Sequence, residues 1–153
     1  MNIAAGVLLI IAAIFNVMAG CTYAVGGALA GAGGEIMEGV DTELANDPDL
    51  QAELAAEGVD MPDADSMKAA GAGLATWGFA LFGIAGIMIG GAVCAFTKKK
   101  KGFVLVTGVL AIIAEGVGIA LIGFGIGNIV GLLAGVFTFV AVKSFPSPAA
   151  AAA

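Results

Sequence analysis

A chain of 153 residues that is 60% hydrophobic, only 12% charged and of mean hydropathy +1.06 does not have the composition of a soluble globular protein. It contains no His and no Arg, which removes the commonest general base and metal ligand and the usual bidentate phosphate clamp. The net charge of −6, with lysine clustered in one short run, leaves no basic surface for nucleic acid.

The first apolar stretch, Ile3 to about Val25, is long enough to span a bilayer. Val17-Met18-Ala19-Gly20-Cys21 resembles a bacterial lipobox, in which Cys21 would be lipidated after cleavage. The first twenty residues carry no Lys or Arg, Met18 is atypical at its position and Asn16 interrupts the apolar run, so a retained helix is expected. Gly6, Ala13 and Gly20 recur at heptad spacing and form a face suited to helix packing. From Gly26 to Gly34 the chain is almost all Gly and Ala, and either extends this helix or forms a flexible neck.

Glu35 to Lys68 holds eleven of the twelve acidic residues and a single lysine, and reads as an acidic, partly helical extracytoplasmic loop. Asp47 and Pro48 punctuate the start of a helix over DLQAELAAE that Gly58 would stop, with Leu50 and Leu54 as a narrow apolar stripe. Asp60, Asp63 and Asp65 cluster before the second span, where Pro62 marks a restart. They form a weak cation surface or a surface for a basic partner, without the ligand spacing of a calcium loop. A solvated acidic cap needs neither.

The second span, about 69–96, carries Gly86 and Gly90 as one G-x-x-x-G unit. Trp77, and Tyr23 on the first span, are expected as interfacial anchors. Lys98, Lys99, Lys100 and Lys101 then form a short basic loop of the kind retained in the cytoplasm, and the same run can attract anionic lipid. That sets both termini inside and the acidic segment outside, with Cys21 and Cys94 near opposite faces and unpaired.

The third span, 103–124, contains one ionisable residue, Glu115; a carboxylate at such depth is costly and suggests function. The 42 residues from Gly102 to Lys143 must hold two spans of roughly 20 each. Spans 103–124 and 127–143 therefore close into a hairpin around Gly123 and Gly125. Gly127, Gly131 and Gly135 give the last span two overlapping G-x-x-x-G units, and residues 146–153 read as a disordered tail. Counted inward from the same side, Asn16 and Glu115 fall at matching depth, which suggests an Asn–Glu bond between spans one and three.

The fold class expected is all-α: a polytopic membrane protein with four transmembrane helices, in one domain over 1–145. GVLLIIAAIFNVMAG, a variable outer loop and a Lys-rich turn before a closing hairpin resemble small bacterial four-span proteins of unknown function, which implies architecture alone. Four Gly/Ala-rich spans and one membrane glutamate also resemble the proteolipid ring subunit of rotary ATPases. That family places the acid in its fourth span and has short loops, so the rotor function is not carried over.

These residues assemble no nucleophile–base pair and no metal cluster, so neither an enzyme nor a cofactor is expected. The expected role is a structural or accessory subunit of a plasma membrane, bacterial inner membrane in that reading, packed through glycine faces against itself or other membrane subunits. The alternative is a small oligomeric channel or proton/cation carrier using Glu115.

Overall fold

A computed structural model describes residues 1–57 and 62–145. The described residues are helical and contain no strand: α1 (Asn2–Asn46), α2 (Pro48–Glu57), α3 (Ala64–Thr97), α4 (Lys101–Ile122) and α5 (Ile126–Ala141), closed by a 3-10 turn over Val142–Ser144. Four of the helices are long and apolar enough to cross a membrane, with mean hydropathy of 2.4, 2.2, 2.3 and 1.8 over their most apolar windows. The tail from 146 onward, Gly58 and Asp60 lie outside the described residues.

The Gly26–Gly34 stretch is helix, and so is the polar chain from Glu35 through Asn46. α1 thus runs for 45 residues, where a single span needs about 20. Asp47 ends it and caps the next helix: the Leu50 amide donates to Asp47 Oδ1 at 3.2 Å, with Pro48 at the first position of α2. Asp63 does the same for α3, accepting from the Ser66 amide at 2.8 Å. The hydroxyl and amide of Ser66 hold the Asp63 carboxyl below its ordinary value.

The chain forms two compact units, one of Gly20–Phe79 and one of Met1–Ala19 with the described residues from Ala80 onward. In the first, α1 and α3 run antiparallel with their backbones in contact. A Cβ on Gly27 would lie 2.5 Å from the Gly71 carbonyl oxygen and 2.6 Å from the Ala75 nitrogen, and one on Gly78 would lie 2.7 Å from the Gly20 oxygen. The seam steps by seven residues along each helix, through Gly20, Gly27 and Gly34 on α1 and Ala64, Gly71 and Gly78 on α3. A strict seven-residue step is shorter than two full helical turns, so the pair must wind left-handedly to keep it facing inward. Glycine is a poor helix former in water; here its missing Cβ is what lets the two backbones meet.

Gly34 also leaves room for Lys68, whose stem crosses it to reach Glu38. The hydrogen bond and charge of Lys68 hold the Glu38 carboxyl below its ordinary 4.5, and Glu38 raises Lys68 above 10.5. A depressed acid stabilises the fold above its ordinary value and loses that contribution as pH falls through the depressed one. A raised lysine contributes below its ordinary value and loses the contribution as pH rises through the raised one. Lys68→Gln should therefore melt earlier than the parent at neutral pH in low salt, and the two should converge in high salt and as pH falls through the depressed value of Glu38. The effect is small because Glu38 is exposed and Lys68 only half-buried. Melting curves by circular dichroism across pH and salt measure it, and a difference that persists undiminished in high salt would exclude the ion pair as its source.

The second unit is built on Leu9, Ala12 and Ala13 of α1, Ala85, Met88 and Ala92 of α3, Ala111 of α4 and Ala134 of α5, all buried. Small side chains at the crossings let large neighbours fit: the Phe96 ring lies over Gly6, and Thr107 fills the space above Gly91. Ala95, Val104, Val142 and Phe145 form a smaller cluster beside the α3–α4 turn. Both cysteines are free thiols. Tyr23 is buried, and the half-buried Trp77 has its indole N–H buried with no hydrogen-bond partner among the described residues.

Candidate functional site

The α4–α5 hairpin turns over three residues, Gly123 to Gly125. Gly123 adopts φ 103°, a conformation open to glycine and strained for other residues, while its amide closes α4 on the Ile119 carbonyl at 2.8 Å. With so short a turn the register follows by reflection. Gly118 faces Asn128, Glu115 lies over Gly131, Ile112 over Gly135, and Thr138 over Gly108. Gly131, Ala134, Gly135, Thr138 and Ala141 form the buried stripe of α5.

Glu115 is 7% exposed. Its Oε2 accepts a hydrogen bond from Asn128 Nδ2 at 2.7 Å, and the carboxyl group lies where a Cβ on residue 131 would be. Asn128 is engaged at both ends of its amide, because its Oδ1 accepts from the Gly125 amide at 2.7 Å. Reversing that amide would turn its Nδ2 against the Gly125 N–H, so that contact fixes the assignment. One side chain thus caps the start of α5 and fixes the carboxylate of α4.

The expected partner of Glu115 was Asn16, and the structure corrects that pairing. Asn16 is buried, but its Nδ2 donates to the Ala12 carbonyl at 3.0 Å and to Met88 Sδ at 3.4 Å, tying α1 to α3. Equal depth did not bring the two side chains together, because a hairpin neighbour held by a three-residue turn was nearer. Asn128 stands in the sequence directly after the glycines of the turn, Gly123, Gly125 and Gly127. Reflecting Glu115 through Gly123 would have found it, one helical turn from position 131.

Of the glycines expected to pack helices, Gly131 and Gly135 lie against α4; a Cβ on Gly127 would lie 3.8 Å from the Phe15 ring, and one on Gly90 3.3 Å from that of Phe103. A Cβ on Gly86 would meet nothing within 4 Å, so of the Gly86–Gly90 unit only Gly90 meets a neighbour among the described residues. Of the acidic trio, Asp63 is engaged in its helix cap and Asp65 lies in the first turn of α3, while Asp60 lies outside the described residues. Among the described residues no group of three or more potential ligands surrounds a metal-sized space. Lys98, Lys99, Lys100 and Lys101 are exposed in the α3–α4 turn, and Lys143 is exposed beside the cluster that flanks it.

The described residues are all helical, with four helices apolar enough to cross a membrane and a buried carboxyl–carboxamide pair beside a tight hairpin turn. Comparison of the chain with protein-family models, with curated proteins and with solved structures finds no match.

Proposed function

We propose that the protein is a four-span integral membrane protein with a structural or accessory role, in which Glu115 is a neutral side chain locking α4 to α5. The observation that carries this reading is the double engagement of the carboxyl group, hydrogen-bonded by Asn128 and laid across Gly131. A group that must take up and release a cation at each cycle needs access to water; this one is turned into its own hairpin. Buried polar groups in membranes serve as such interhelical locks for roughly 1 kcal/mol each.

The lysine-rich α3–α4 turn supports a cytoplasmic position for that end of the molecule and for both termini, with the acidic segment on the far side of a plasma membrane. A Cβ on Gly83, Gly86 or Gly116 would meet nothing within 4 Å; these glycines leave small-residue surface for a second copy or another membrane subunit. The acidic segment offers a partner of opposite charge a further contact.

Glu115→Gln tests the role of the carboxyl group, since glutamine keeps its shape and its capacity to accept from Asn128. The expected result is unchanged assembly and a melting temperature close to the parent's. Neither protein should carry protons or cations into vesicles. Flux through the parent that the variant lacks, with assembly preserved, would overturn the structural reading in favour of a channel or carrier working through Glu115.

A further inference from the structure

We infer that the α3–α4 turn and the Val142–Ser144 segment together form a binding collar for the phosphate headgroups of anionic phospholipids. Val142 and Phe145, on either side of Lys143, are packed with Ala95 and Val104. Those residues bracket the turn that carries Lys98–Lys101, so five exposed ammonium groups share one end of the unit. None has an acidic partner among the described residues, where the only ion pair is Lys68–Glu38.

The backbone of the turn adds a second observation. Lys98 and Lys100 sit at φ 52° and 50°, in the left-handed region that favours glycine. A chain with 25 glycines places lysine at both positions, accepting local strain of the kind that accompanies function. Four consecutive charges also repel one another. An anionic ligand relieves that repulsion.

The surroundings select a lipid over a soluble anion. Phe96, Phe103 and Phe139 stand within about one helical turn of the lysines and are 40%, 37% and 39% exposed. A nucleic acid or free phosphate would neutralise the lysines and leave these rings in water. A phospholipid meets the charge with its headgroup and the rings with its acyl chains. The inference rests on the four helices being membrane spans, which alkali-resistant incorporation into vesicles tests separately.

The test uses the full chain in phosphatidylcholine vesicles carrying traces of spin-labelled phosphatidylglycerol or spin-labelled phosphatidylcholine. The parent should favour phosphatidylglycerol about threefold or more at low salt and lose most of that preference near ~0.5 M salt. Lys98→Gly combined with Lys100→Gly removes two charges while easing the backbone. It should melt at or above the parent's temperature yet lose half or more of the preference, whereas Lys68→Gln should keep it. Equal preference in the parent and the double-glycine variant would overturn the assignment, as would no preference in the parent. Displacement of the labelled lipid by ~10 mM inorganic phosphate would show a site for free anion and overturn it too.

Discussion

Gly131→Ala should destabilise the protein by about 1–3 kcal/mol, although alanine is the better helix former. The added Cβ would occupy the position of the Glu115 carboxyl group, and α5 is held against α4 at just that level by the 2.7 Å bond from Asn128. The carboxyl group could move only by giving up its buried partner, and an unsatisfied buried polar group is itself costly. Glu115→Ala alone should also destabilise, by leaving Asn128 without an acceptor and a gap over Gly131. Together the two substitutions should cost less than the sum of the separate ones by about 1 kcal/mol or more, because each removes the other's clash or gap. Denaturant-dependent unfolding in detergent measures all four proteins of this cycle. Strict additivity would mean that Glu115 and Gly131 are not in contact.

A second large effect is expected where α1 meets α3. Gly27→Ala would place its methyl group 2.5 Å from the Gly71 oxygen and 2.6 Å from the Ala75 nitrogen. Both are backbone atoms, which cannot rotate aside as a side chain can, so the helices must separate locally at a cost of about 1–3 kcal/mol. Its neighbour is the internal control: Gly26 has nothing within 4 Å, and Gly26→Ala should stabilise by about 0.5–1 kcal/mol through helix propensity alone. The opposite signs at adjacent positions can be read from thermal melts of the two variants. Equal shifts would count against backbone contact at the seam.

The apolar lengths made the four long helices legible in the sequence, and Asp47-Pro48 and Gly123–Gly125 made two of the breaks legible. The extent of α1 was less so. A Gly/Ala run read by aqueous propensity looks like a neck, whereas the same residues read as a packing face continue a helix. The step of seven, already visible in Gly6, Ala13 and Gly20, runs on through Gly27 and Gly34 and distinguishes the two. Glu115 was legible as the residue to watch because it is the lone acid in its span. Its partner was not, since matching depth between spans one and three ranks candidates by height alone and ignores which helices touch. Gly86 failed as an internal packing residue for a related reason: a G-x-x-x-G spacing marks a smooth face without saying which side of the helix the neighbour takes.

The three-residue turn between α4 and α5 has a consequence for the order in which the chain assembles. Closing a loop costs entropy that grows with its length, and contacts near in sequence form fastest. Gly118–Asn128 and Glu115–Gly131 can zip up outward from Gly123, each pair prepaid by the one before. The seam of Gly27 and Gly71 must instead wait for the whole stretch between α1 and α3 to come round. The hairpin that carries the buried acid is therefore expected to close before the long α1–α3 pairing.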